Sequence, residues 1–192
     1  MVNWKNWFYK EAPEIFKEIG IEFGSSVVDF GAREGDYALP LAIYVTGNDK
    51  KVDGQVIAIE KERKQIRKMK KRAKKYDIDN IKFISNRASL QIGLKSESID
   101  VVFIFDVLHY FDDEERAILY REAHRVLKKC GKFITYPHHY KDDHPLWHFS
   151  ELSLDDIIEE IKICGFDLIK KTNTKLIHDH DWLKGKILTF KK

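Results

Sequence analysis

Cysteine is nearly absent from this 192-residue chain, with Cys130 and Cys164 as the only two. Two thiols make no disulfide framework and fit a reducing interior. Proline is scarce as well, at four residues, and no linker, internal repeat or low-complexity stretch divides the chain. A single α/β domain over 23–192, with residues 1–22 as a helical lid or appendage, is the expected organisation, and a chain of this length buries a real core. No apolar run approaches the roughly 20 residues that cross a bilayer. The N-terminal "MVNWKNWFYKEAPEIF" lacks the charged-then-apolar layout of a signal peptide. The cytoplasm is therefore the expected location, with no membrane partner.

Charge of one sign is not lacking but concentrated. The net charge is +3, yet residues 61–75, "KERKQIRKMKKRAKK", hold ten Lys/Arg against Glu62, and the rest of the chain is mildly acidic. A basic helix of this kind can bind a phosphate backbone. Ile66, Met69 and Ala73, spaced to bury one face, favour instead an ordinary solvated face, so nucleic acid is not the favoured partner.

The apolar pattern alternates strand and helix. Strands are expected at 26–30, 55–60, 81–85, 99–105 and 132–136, with two more closing the chain in "FDLIKKT" and "KILTFKK". Helices are expected over 3–19 (interrupted or restarted at Pro13), 36–46, 61–76, 112–129 (stopped near Gly131) and 154–164, the last capped by Ser153. A polar turn is expected at 47–54. Alternation implies a mostly parallel seven-stranded sheet with helices on both faces. The last two strands have no helix between them, so they pair antiparallel at one edge.

Ligands of such sheets bind beyond the carboxyl ends of strands. "VVDFGAREGDYALPLA" (27–42) is a strand, a glycine turn and a helix, with Gly31 and Gly35 flanking Arg33. "VIAIE" ends on Glu60, about 25 residues further on, where a carboxylate can accept both hydroxyls of a ribose. With "FISNRASL", "SIDVVFIFDVLHYF" and "EAHRVLKKCGKFITY", these segments resemble, in order and spacing, the motifs of class I S-adenosylmethionine-dependent methyltransferases, in the small-molecule-like group with V-L-H-H after the fourth strand. The resemblance covers roughly 24–137. It implies a Rossmann-like fold and S-adenosylmethionine as cofactor. It also implies that Asp29, Gly31, Arg33 and Gly35 surround the methionine end, Glu60 binds the ribose, and Asn86 with the Arg87 backbone meets the adenine. Asp106 would border the methionine end, and His109 would face the reaction pocket as a candidate base.

Two departures stand out. Asn86 replaces the family's usual Asp, although an amide oxygen still accepts from an adenine N–H. Arg33 replaces the middle glycine and pays for any positive φ. A side chain led along the rim, to Glu34, Asp36 or the cofactor's carboxylate, keeps the loop alive, and one turned inward plugs it. The loop 137–152, "PHHYKDDHPLWHFSEL", follows the fifth strand and is expected to contact substrate through His138, His139 and Trp147. Its histidine spacing matches no familiar metal pattern, so no metal is expected. His178 and His180 read as surface residues.

The expected function is methyl transfer to a small-molecule acceptor by in-line displacement. The fourth motif continues "FDVLHYF" and not N/D-P-P-[YFW], which argues against exocyclic base amines. The rivals are an RNA or protein methyltransferase that uses helix 61–75, and a degenerate cofactor-binding or interaction domain without catalysis. The acceptor and the oligomeric state are not set by the sequence.

Overall fold

The computed structural model describes residues 2–47, 52–87 and 89–192. Residues 48–51 of the expected 47–54 turn, and Ala88, lie outside the described residues. Seven strands form one sheet in the order β3-β2-β1-β4-β5-β7-β6. They are β1 Ser26–Phe30, β2 Gln55–Glu60, β3 Ile81–Ser85, β4 Ile99–Phe105, β5 Leu127–Tyr136, β6 Asp167–His178 and β7 Asp181–Lys191. β1 pairs parallel with β2, β2 with β3 and β4 with β5, whereas β7 runs antiparallel to β5. The chain groups into two compact units, residues 1–88 with 175–184 and residues 89–174 with 185–192.

In the first unit every residue of β1 is buried, as the unbroken run SVVDF requires of a strand covered on both faces. The N-terminal segment is helical in three pieces: α1 (Trp4–Asn6), a π-helical turn (Trp7–Glu11) and α2 (Ala12–Glu18). Pro13 stands at the start of α2. It has no N–H to offer the preceding turn, so the register widens there and not inside a regular helix. Trp7 and Phe8 are fully buried, and Trp7 Nε1 donates to the Asp36 carbonyl at 2.7 Å. Trp7 and Phe8 are therefore core of this unit. α3 (Ala38–Val45) follows the glycine turn, and α4 (Arg63–Lys75) follows β2, burying Ile66, Met69 and Ala73 as their spacing predicts. β6 and β7 are joined by Asp179 and His180, both at positive φ (45° and 68°), the backbone that a two-residue hairpin turn needs.

In the second unit α5 (Asp113–Val126) and α6 (Leu154–Ile163) each open on a capping box, Asp112 with Glu115 and Ser153 with Asp156, so the sequence reading of Ser153 holds. The end of the 112–129 helix needs correction. α5 stops at Val126 and β5 begins at Leu127, five residues earlier than expected. Ile99 pairs with Leu127 but Val101 with Lys132, so the extra residues form a bulge. Cys130 (φ 63°) lies in that irregularity, and Gly131 lies there too, not at a helix end. Among the described residues no helix is long and apolar enough to cross a membrane.

Candidate active site

The first unit carries most of the expected cofactor residues at the carboxyl ends of β1, β2 and β3. After Phe30 the chain turns sharply. The N–H groups of Gly31 and Ala32 both donate to the Ile59 carbonyl, and that of Gly35 to the Ala32 carbonyl. Gly31 and Gly35 have φ of 83° and 84°. A Cβ on Gly35 would stand 2.7 Å from Met69 Cγ and 2.9 Å from Leu39 Cγ. This glycine is thus required twice, by its dihedral and by the closeness of α4.

Arg33 takes the left-handed conformation (φ 45°), which costs a non-glycine residue of order 1 kcal/mol. Two contacts offset that cost. Its backbone N–H donates to Glu60 Oε2 at 2.9 Å. Its guanidinium leaves the loop for the hairpin turn, where Nη1 meets Asp179 Oδ1 at 2.8 Å with both side chains more than half exposed. The side chain therefore follows the rim, to a partner, Asp179, that sequence reasoning did not name. Glu34 and Asp36 are engaged by α4: Lys68 pairs with Glu34, and Arg72 with Asp36. Arg72 also donates to the Glu34 carbonyl at 2.9 Å, and its guanidinium lies 4.3 Å from the Trp4 ring centroid. The basic helix thus spends two of its cations on bracing the glycine turn.

Glu60 is buried. Its second oxygen, Oε1, accepts from the Glu62 N–H at 2.8 Å, so one carboxylate ties the turn after β1 to the start of α4. Sequence reasoning weighed a helix-start carboxylate against a ribose ligand and favoured the ligand. The bracing role had a signal, since a carboxylate at a strand end facing a glycine turn meets unpaired amides. Asp29 is also buried. Burial, and then the charges of Glu60 and Asp36, push its carboxyl up to about 8, against an opposing hydrogen bond from the Ala38 N–H. Register puts Glu60 opposite Ser85, so Asn86 and Arg87 follow β3 one and two positions beyond Glu60's partner. Asn86 is half-buried, and Arg87 is exposed at φ 47°.

The second unit carries the other candidates beyond β4 and β5. Asp106 (φ 55°) follows β4, and a short 3-10 turn, Leu108–Tyr110, buries His109. His109 Nδ1 lies 3.6 Å from Asp106 Oδ1. From the loop after β5, His139 Nε2 lies 3.8 Å from the same oxygen. Trp147 stacks against His109, with ring centroids 5.4 Å apart and 27° between planes, and is 55% exposed. His138 is buried, with Nδ1 3.0 Å from Asp143 Oδ2. Burial holds its imidazolium below the usual range despite the nearby carboxylate, so a neutral ring donating to Asp143 pins the loop. Of the three expected substrate residues, the structure brings His139 and Trp147 to His109 and gives His138 a bracing position. His178 is half-buried and His180 exposed.

Residues 21–182 match the methyltransferase domain family. Over 123 residues (64% of this chain, 44% of the relative) the sequence is 26% identical to an uncharacterized methyltransferase, YcgJ, of Bacillus subtilis. Over 109 residues (57% of this chain, 37% of the relative) it is 30% identical to the 27-O-demethylrifamycin SV methyltransferase of Amycolatopsis mediterranei. The matched stretch is less than half the length of either curated relative. A SAM-dependent methyltransferase from Aquifex aeolicus superposes with a TM-score of 0.75 at 16% identity, covering 97% of this chain and 92% of the other. The chain belongs to the methyltransferase domain family and has the fold of S-adenosylmethionine-dependent methyltransferases.

Proposed function

We propose that the chain transfers a methyl group from S-adenosylmethionine to a small-molecule acceptor. The observation that carries this reading is the turn after β1, whose Arg33 N–H is held by Glu60 and whose Arg33 side chain runs out to Asp179. The donor set fits the group. Asp29 supplies a carboxylate for the methionine ammonium, and Glu60 keeps further lone pairs beyond the two amides it accepts, enough for ribose hydroxyls. Asn86 and the Arg87 backbone suit the adenine edge. Gly31 and Gly35 keep the turn's backbone open to close approach. When bound, S-adenosylmethionine supplies a methyl on a sulfonium, and the protein's main task is alignment. Asp106 would border the methionine end. His109 would take the acceptor's proton, with His139 and Trp147 beside it, since imidazole suits that role near neutral pH. Residues 1–22 would serve as an appendage that holds the turn through the Trp7–Asp36 bond. A small oxygen or nitrogen acceptor is favoured over RNA, because Lys68 and Arg72 of the basic helix are engaged with the turn.

Calorimetric titration with S-adenosylhomocysteine tests the reading. Wild type is expected to bind. Arg33→Gly is expected to bind within tenfold of it, because it relieves a strained φ and loses an exposed ion pair worth at most about 1 kcal/mol. Binding only in the mutant would mean a plugged loop and a degenerate domain.

The same titration should show linkage to protons. With its carboxyl near 8, Asp29 is protonated at pH 6–7 in the ligand-free protein. An ammonium placed beside it favours the carboxylate, so its pKa falls on binding and a proton is released. Affinity should therefore rise from pH 6 towards pH 8, and the release should fade above that. Calorimetry at pH 6.5 in buffers of different ionisation enthalpy should give close to one proton released in wild type and far less in Asp29→Asn. No proton release in wild type would exclude this role for Asp29.

A further inference from the structure

The second unit gathers into one donor cluster three residues to which the methyl-transfer reading gives separate roles. Asp106, His109 and His139 each offer one ligand atom, and these atoms all lie within 4.8 Å of one another. We infer that these three side chains form a binding site for a divalent first-row transition-metal cation. Sequence spacing hides such a site. His109 is three residues past Asp106, but His139 comes from a different strand end, and only the β4–β5 pairing brings the two loops together.

The geometry suits a cation. Bonds of about 2.0–2.2 Å in a tetrahedral site separate ligand atoms by about 3.4 Å. Asp106 Oδ1 lies 3.6 Å from His109 Nδ1 and 3.8 Å from His139 Nε2, so two edges need a contraction of only a few tenths of an ångström. The third edge, between His109 and His139, is under 4.8 Å and would have to contract on binding. His139 is also set in the required tautomer. Its Nδ1 is 2.8 Å from the His144 carbonyl, and because a carbonyl only accepts, Nδ1 bears the hydrogen. With Nδ1 so engaged, Nε2 is the nitrogen that faces Asp106, and it is the one left to bind a cation. An imidazole oriented through its other nitrogen by a carbonyl is the usual second-layer support of a metal ligand.

Asp106 and His139 both take positive φ, 55° and 73°, which sets the turn of each loop at the cluster. The donor set selects the metal class. Two imidazoles and one carboxylate suit zinc, cobalt, iron or nickel, and too few oxygens are present for calcium or magnesium. Three protein ligands leave a position for water or a substrate oxygen. The inference does not depend on methyl transfer. In an enzyme of the kind proposed above, the cation would lower the pKa of an acceptor hydroxyl, and His109 would be a ligand in place of a base.

The 192-residue chain, treated with chelator and titrated with Co²⁺, tests the site, followed by visible absorption and calorimetry. One equivalent is expected to bind with micromolar or tighter affinity and to develop d–d bands. Asp106→Asn and His139→Gln should each weaken binding at least about tenfold, and His148→Ala should leave it unchanged. As a second measurement, Zn²⁺ should raise the melting temperature of wild type and not that of the two ligand variants, since a cation that binds the folded state stabilises by mass action. No binding tighter than millimolar, or ligand variants that bind like wild type, would overturn the site. A chain that binds cobalt here but not S-adenosylhomocysteine would keep this inference and overturn the methyl-transfer reading alone.

Discussion

Glu60→Ala should weaken S-adenosylhomocysteine binding at least a hundredfold. Hydrogen bonds from ribose hydroxyls to a carboxylate are worth roughly 1.5–3 kcal/mol. The substitution removes more than those. Glu60 accepts the Arg33 N–H at 2.9 Å and the Glu62 N–H at 2.8 Å, so alanine leaves two amides without their acceptor and releases the turn that Arg33 already strains. Binding would then have to order that turn as well as hold the ribose, and together these effects reach about 3 kcal/mol or more. Glu60→Gln should lie between, since an amide oxygen can replace one acceptor but its NH₂ faces the other N–H. Calorimetry on variants shown by thermal melting to be folded decides the matter. A Glu60→Ala protein that binds within threefold of wild type would remove both roles.

Arg116→Ala should cost the fold about 3 kcal/mol. Arg116 is 3% exposed and lies at the start of α5. Its Nε and Nη2 donate to the two oxygens of Glu160 at 2.8 and 2.6 Å, and Nη1 donates to the Phe111 carbonyl at 2.7 Å. Breaking a buried pair from one side usually costs about 3–5 kcal/mol. The lower end applies because the Glu160 side chain is 27% exposed and water can take part of its charge. In a chain of this length the loss should lower the melting temperature by roughly 6–12 °C. The clamp also secures the carbonyl at the end of the Leu108–Tyr110 turn, so the His109 loop should loosen with it. Arg116→Lys should recover only part of the loss, because a point charge cannot reproduce the fork. A melting temperature within 2 °C of wild type for Arg116→Ala would show the pair to be dispensable.

Much of the architecture was legible in the residues because parallel strands are buried on both faces and so write themselves as apolar runs. VVDF, VIAI and VVFIF needed no tertiary information to be read as strands, and Ser153 with Asp156 announced a helix start through local hydrogen bonding alone. Where two local signals competed, the reading slipped. Gly131 looked like a helix stop, but the pairing of β4 with β5 drew Leu127 into a strand and left the glycine in a bulge. The places of Asp29, Gly31, Gly35 and Glu60 in the fold were also legible, because each is set by a strand end or a dihedral.

The partners of these residues were not legible, since a side chain's choice depends on what the fold brings near it. Arg33 has Glu34 and Asp36 as sequence neighbours, yet α4 claims both through Lys68 and Arg72, and the hairpin turn delivers Asp179 from 146 residues away. His139 illustrates the same limit. Its position in a polar loop marked it as a candidate contact. Its tautomer, and its approach to Asp106 and His109, exist only once β5 lies beside β4 and the His144 carbonyl meets its Nδ1. Local sequence determined the elements and their ends because dihedral preference and burial pattern act over a few residues. Ion pairs, tautomers and donor clusters waited for tertiary structure because they are settled by distances between groups far apart in the chain.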